Sequence, residues 1–436
     1  MRYGVYSAYR DSGVEWLGAV PEHWESRRLG AYGAFQGGTG FPHEIQGKKR
    51  LKYPFYKVSD TNLDGNEIYL SIANNYISQE TANKISAKIN KSGSIMFPKV
   101  GAALLGNKRR ILSVESIVDN NCMVFSPYKG DIKYWYYWLS ELDFGQISNP
   151  GPVPSVNESQ LTNFPSIFPP VEEQTAIANF LDRETSKIDQ LISKQQQLIA
   201  LLKEKRQAVI SHAVTKGLDP EAKMKDSGVE WLGEVPAHWV VKNYRYSTKI
   251  YRGKFGHRPR NDPEYYDGEY PFIQTGDIAR AGKVITSYKQ TLNEKGISVS
   301  QKFSAGTLVM AIAANIGDIA TLNFEAYAPD SVVGFKPKPD CDLEFLRCSL
   351  MGALPVLEQS STQNAQANLN IDRIGSVSAA FPPLHEQIKI SSEIDQLMRK
   401  TDILIEKATK AIALLKERRT ALISAAVTGK IDVRTE

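Results

Sequence analysis

The sequence predicts an α+β protein with an internal pseudo-twofold repeat: two mixed α/β domains separated by two long antiparallel helices that form a coiled coil. Three observations carry this expectation. The segment Arg10-Asp-Ser-Gly-Val-Glu-Trp-Leu-Gly-Ala-Val-Pro-Glu-His-Trp24 returns as Lys225-Asp-Ser-Gly-Val-Glu-Trp-Leu-Gly-Glu-Val-Pro-Ala-His-Trp239, identical at twelve of fifteen positions. Ile199–Thr215 returns as Ile412–Thr428, identical at thirteen of seventeen. The stretches between these markers, roughly 25–164 and 240–377, diverge strongly but keep a common frame. A period near half the chain is far longer than that of a solenoid, so each copy is a domain-sized unit.

The expected order is 1–164 for the opening segment and first α/β domain, then 165–217 for the first helix. The repeated segment and second α/β domain take 218–377, and the second helix takes 378–436. Within the α/β stretches, apolar runs such as Ser94–Phe97 and Thr307–Ile312 alternate with Gly, Asn and Asp turns, as strands do. Trp135–Leu142 and Leu343–Leu357 read as short helices. The shared frame pairs Tyr53-Pro54-Phe55…Asp60 with Tyr270-Pro271-Phe272…Asp277, and Gly93 with Gly306. It also pairs the Asp/Asn-rich turns that end in Phe125 and Phe335.

Each long helix starts after a Pro-Pro pair followed by Glu-Gln: Pro169-Pro170 with Glu173-Gln174, and Pro382-Pro383 with Glu386-Gln387. Proline near the first turn and acidic residues at the positive end of the dipole both favour a start. The first ladder reads Ile177, Leu181, Glu184, Ile188, Leu191, Gln195, Leu198, Leu202, Lys205, Val209, in alternating steps of four and three. Shifted by 213, the second reads Ile390, Ile394, Leu397, Thr401, Leu404, Ala408, Ala411, Leu415, Arg418, Leu422. Gly217 and Gly429 stand where helices stop. Three polar rungs face apolar ones in the other copy (Glu184 matches Leu397, Ile188 matches Thr401, Gln195 matches Ala408), which suits pairing within one chain rather than a homodimer.

With 42% hydrophobic and 23% charged residues, the composition is that of a globular protein. No apolar run is long enough to span a bilayer, and Met1–Arg10 lacks the apolar core of a signal peptide. Cys122, Cys341 and Cys348 have neither zinc nor redox spacing, which suits a reducing cytoplasm. A net charge of +5 leans towards a polyanionic partner.

No catalytic constellation emerges. Phe35-Gln-Gly-Gly-Thr-Gly40 superficially resembles a cofactor-binding glycine loop, but Pro42 and a Gln46-Gly-Lys-Lys-Arg50 loop follow it instead of a helix. There is no Asn/Asp-Pro-Pro-Tyr/Phe motif for base methylation, and Pro329-Asp330 lacks the Glu-x-Lys of a nuclease metal site. A Walker loop is also missing. His23 and His238 are repeat equivalents beside tryptophans, placed to pack or cap rather than to bind metal. What remains is basic and polar loops. In the first half these hold Gly37, Gly38, Thr39, Lys57, Ser59, Lys99, Lys108, Arg109 and Arg110; in the second, Arg252, Lys254, Arg258, Arg260, Gln274 and Thr275. Lys and Arg neutralise phosphates or meet guanine O6 and N7, and Gln reads adenine. Lys57 and Ser59 face Gln274 and Gly276 as variable positions inside the fixed Tyr-Pro-Phe…Asp frame.

The repeated Asp-Ser-Gly-Val-Glu-Trp-Leu-Gly-x-Val-Pro-x-His-Trp opening, the Phe-Pro-Pro-x-x-Glu-Gln helix start and the Leu-Leu-Lys-Glu-x-Arg…Ile-Ser-x-Ala-Val-Thr helix end resemble the specificity subunit of type I restriction–modification systems over essentially the whole chain. The resemblance implies two target recognition domains that grip the halves of a split double-stranded DNA site, with the helices setting the spacer. Poorly matched domains imply an asymmetric site. It further implies a non-catalytic subunit that binds no cofactor itself. Two methylation subunits using S-adenosylmethionine, and nuclease/translocase subunits using ATP and Mg2+, would dock on it. Two alternatives stay open from the residues: the specificity subunit of a related system that cuts at defined positions, or a coiled-coil scaffold that binds no DNA.

Overall fold

Two five-stranded sheets with one strand order organise the chain. The first runs Gly33–Gly37, Cys122–Pro127, Ile95–Pro98, Arg110–Leu112, Tyr69–Leu70; the second runs Thr248–Arg252, Val332–Pro337, Leu308–Ala311, Ile319–Leu322, Val284–Ile285. In both, the first three neighbouring pairs are antiparallel and the last is parallel. Phe125 and Phe335, which close the shared turns in sequence, lie on the strand beside the edge and are fully buried. The structure, a computed structural model, describes residues 3–149, 151–257, 260–313, 316–359 and 369–434.

The chain forms two compact units, Met1–Gln195 with Lys410–Glu436, and Gln196–Thr409. They do not follow the linear order of the chain, since each takes part of both long helices, Val171–Lys216 and Leu384–Val427. In the first unit, strand Glu25–Arg28 pairs with Pro165–Phe168, which leads into the first helix. In the second, Val240–Asn243 pairs with Ser378–Phe381, which leads into the other. The expected short helices are Ile132–Glu141 and Leu343–Gly352, the latter followed by Leu354–Gln359. Each backs its own sheet: Trp135, Trp138, Phe97 and Phe125 share one core, and Phe345, Leu346, Leu308 and Phe335 share another.

Within each unit the helix segments run antiparallel. In the first, Glu173 in the opening turn bonds Trp24, whose ring lies against Gly429 just past the other helix's end; further along, Asp189 pairs with Arg419 at 3.0 Å. In the second, Glu386 bonds Trp239, whose ring lies against Gly217, and Arg206 pairs with Asp402 at 2.8 Å. Both ion pairs join residues related by the shift of 213. The glycines have φ of +78° and +72°, the left-handed conformation that ends a helix.

The buried seam departs from the ladder read in the sequence. Ile177, Leu181 and Ile188 are buried as expected, but Leu191 is 47% exposed, and Leu198 and Val209 are also exposed. The inward rungs are instead Thr185, Ile192, Ile199, Arg206 and Ile210, each one residue beyond its place in the ladder. The second helix slips in the same sense at Leu404, which is 47% exposed while Ile405 turns inward, but keeps Leu422 buried where the ladder places it. A helix of 3.6 residues per turn does not track a strict 3.5 repeat, and two four-then-four steps (177, 181, 185 and 202, 206, 210) reset the phase.

Candidate nucleic-acid interface

The Tyr-Pro-Phe…Asp frame builds the same surface feature in both units. Strand Tyr53–Tyr56 leads to Lys57, whose backbone N–H donates to Asp60 Oδ2 at 2.7 Å. In the second unit, strand Tyr266–Phe272 leads to Gln274, whose N–H donates to Asp277 Oδ2 at 2.9 Å. Both aspartates are buried, and each is the third residue of a short helical turn, Val58–Asn62 or Thr275–Ala281, that it caps. The carboxylate therefore pins the backbone of the variable residue and leaves its side chain to point outward. Lys57 Nζ donates to Gln46 Oε1 at 3.3 Å, and Gln274 Nε2 donates to Gln290 Oε1. Ser59 and Gln274 are exposed, and Lys57 and Thr275 half-buried.

The glycine loops serve packing. A Cβ at Gly38 would sit 2.1 Å from the Asp119 carbonyl oxygen, and one at Gly253 would sit 2.1 Å from that of Pro329. Only glycine permits these two approaches, and the next residue repeats the same bond: Thr39 N–H to Val118 O and Lys254 N–H to Ala328 O, each 2.9 Å. The Gly37 amide donates to Glu158 Oε1 at 2.6 Å, and the Gly38 amide donates to Cys122 O at 3.0 Å. The amides of Gly37 and Gly38 are therefore both spent in shaping the loop. Thr39 Oγ1 accepts from Lys88 N at 3.1 Å, and Lys99 is half-buried beside Gly37.

The Lys108-Arg109-Arg110 run splits. Arg109 is buried: Nε donates to Leu139 O at 3.1 Å, Nη2 to Leu142 O at 3.0 Å, and its guanidinium lies 3.8 Å from the Phe144 ring centroid. Burial lowers its pKa below the usual arginine value. It is a core cation and has no surface to offer a phosphate, contrary to the reading of the run as one basic patch. Its neighbours remain near the surface at the far end of the turn that Lys57 starts. Lys108 Nζ donates to Asn62 Oδ1, and Arg110 Nη2 donates to Thr61 O at 2.9 Å.

In the second unit a cleft of about 480 Å³ gathers Arg260, Gln274, Thr275 and Gln290 against Phe255 and Tyr266. Arg252 Nε donates to Asp330 O at 2.5 Å and Arg260 Nη2 to Asp330 Oδ2 at 2.7 Å, so one residue gathers two loop cations. Lys254 is exposed. Arg258 lies outside the described residues. Gln46 and Gln290, which hold the two variable side chains, have no local signal in the sequence. Gln290 arrives through the Phe272–Gln290 pairing of two strands.

The histidines cap. His23 Nε2 meets Glu173 Oε2 at 2.7 Å, and His238 Nε2 meets Glu386 Oε2 at 2.8 Å, each over the first turn of a long helix. Among the described residues, no group of three or more His, Cys, Asp or Glu is placed to hold a metal ion.

The family model for the type I restriction modification DNA specificity domain matches residues 21–201 and 250–414. The putative type I restriction enzyme MjaX specificity subunit of Methanocaldococcus jannaschii is 24% identical over 96% of this chain and 96% of its own. Among solved structures, a chain described under complex assembly and conformational transition of the type I R-M system has a TM-score of 0.70 at 15% identity, covering 94% of this chain and 98% of that one. The HsdS subunit from Thermoanaerobacter tengcongensis has a TM-score of 0.53 at 16% identity, with the same coverage. Both share the fold.

Proposed function

Since the chain belongs to the family of type I restriction modification DNA specificity domains, we propose that it is the subunit that selects the DNA sequence for such a system, each unit reading one half of a bipartite, asymmetric duplex site. One observation carries this: equivalent carboxylates pin equivalent backbones at Lys57 and Gln274, while the side chains displayed there differ in chemistry. A shared frame with unlike side chains is what reading two unlike half-sites requires. Thr39, Lys57, Ser59, Lys99, Lys108 and Arg110 are the contact residues of the first unit, and Arg252, Lys254, Arg260, Gln274 and Thr275 those of the second.

Two methylation subunits dock on the helices, and the helices set the spacer. What supports docking is identity at exposed positions. Leu201 is 62% exposed and its repeat equivalent Leu414 65%. Ala200, Lys203 and Glu204, also exposed, match Ala413, Lys416 and Glu417. The core does not demand these residues, so their agreement fits one partner bound twice. The subunit contributes recognition but no chemistry of its own: S-adenosylmethionine, ATP and Mg2+ are used by the methylation and nuclease/translocase partners.

The test is selection from a randomised duplex library by the chain assembled with its methylation subunits. Two separated half-sites should emerge, and replacing residues 25–164 with a relative's domain should change one and spare the other. If no sequence were enriched, a scaffold role would replace this reading.

A further inference from the structure

We infer that the second residue after Tyr-Pro-Phe is a one-residue base reader in each unit, Lys57 selecting a guanine in one half-site and Gln274, held by Gln290, selecting an adenine in the other. The inference rests on the DNA-reading proposal above and adds the bases read.

The argument is a count of hydrogen-bond groups. Lys57 Nζ carries three donors and no acceptor; one is given to Gln46 Oε1, leaving two. In the major groove guanine shows two acceptors, O6 and N7, whereas adenine replaces O6 by an amino donor that repels an ammonium. The donor-only head of Lys57 therefore matches guanine. The Gln274 amide has two N–H donors and one acceptor oxygen, and one N–H goes to Gln290 Oε1. What remains is one donor and one acceptor side by side, the complement of adenine N7 and N6.

Both heads are held at two points. Asp60 or Asp277 fixes the backbone, and Gln46 or Gln290 fixes the tip. The second hold removes rotamer freedom before DNA arrives, which a reader needs to discriminate and not merely attract. Gln290 is thus a positioning residue. It sits on strand Gln290–Leu292, which pairs with Tyr266–Phe272, so the fold itself sets its distance from Gln274.

Reciprocal substitution tests this. Lys57→Gln and Gln274→Lys, each in the full chain assembled with methylation subunits, are offered a randomised duplex library and the bound DNA is sequenced. Lys57→Gln should turn one guanine of one half-site into adenine, and Gln274→Lys should turn one adenine of the other into guanine. Gln290→Ala should reduce the adenine preference at that position alone, within the about 5- to 150-fold range of a bidentate contact. The unmutated half-site reports folding within each variant, and the two swaps lie in different units, so either decides alone. If the swaps weaken binding while both half-sites keep their bases, the base-reader inference is wrong although the chain still recognises DNA. If the unmodified chain enriches no sequence, the recognition reading falls with it.

Discussion

The indole Nε1 of Trp24 donates to Glu173 Oε1 at 3.0 Å, tying the repeated opening segment to the first turn of a long helix. Trp239 and Glu386 repeat the bond at 3.0 Å in the other unit. The glutamate serves three purposes at once: it accepts from a buried tryptophan, meets a histidine, and places negative charge at the positive end of a helix. In the first unit Tyr6 also donates to Glu173 at 2.6 Å; burial, then this bond, raise the tyrosine pKa well above its ordinary value.

Glu173→Ala should therefore destabilise the protein by about 1–3 kcal/mol, the cost of leaving buried donors unpaired. Glu386→Ala should cost less. Its side chain is 23% exposed against 5% for Glu173, so water can replace the lost partner. Chemical denaturation of the two variants checks the order; equal losses would show that burial does not set the cost.

Arg109→Ala should cost stability and not DNA contacts. It would leave the Leu139 and Leu142 carbonyls without their partner and open a void beside Phe144, together about 2–4 kcal/mol. The expected readout is a lowered denaturation midpoint with an unchanged salt dependence of DNA binding.

Lys254→Ala should do the reverse. The side chain is exposed on the loop beside Arg252. As a phosphate contact it should lower the slope of log affinity against log salt by about 0.9 while the selected sequence stays the same. Titration at several salt concentrations measures it, and a changed consensus would mark Lys254 as a base reader instead.

The three cysteines should resist thiol reagents in the folded protein. All are buried and unpaired, and burial pushes the thiols of Cys341 and Cys348 up to about 12 and raises that of Cys122 further. Since the thiolate is the reactive form, little of it is present at neutral pH. Mass spectrometry should find no labelling before denaturation and three labels after it.

Inserting one heptad in each long helix, near Gln195 and Ala408, should lengthen each by about 10 Å. That corresponds to about three base pairs of added spacer between unchanged half-sites. Selection from the randomised library reads the spacer directly. An unchanged spacer with activity retained would reduce the helices to docking surfaces.

Local rules made much of this protein legible in its sequence. The Pro-Pro starts, the Gly217 and Gly429 stops, and the paired frame from Tyr53 to Asp60 and from Tyr270 to Asp277 all depend on residues a few positions apart or on direct repetition. Burial and cross-strand neighbours do not. Lys108, Arg109 and Arg110 are one basic run in sequence, but the carbonyl of Leu139, thirty positions away, draws Arg109 alone into the core. The ladder from Ile177 takes Leu191 in place of the inward Ile192, because a strict heptad is an average that local phase slips overturn. Gly38 is one of several candidate contact residues in the sequence, and only the fold presses the Asp119 carbonyl against it; strand pairing likewise sets Gln290 beside Gln274. Periodicity and caps are properties of short segments, which the sequence determines by itself; which side chain is covered, and by what, is settled only when distant strands and helices pack.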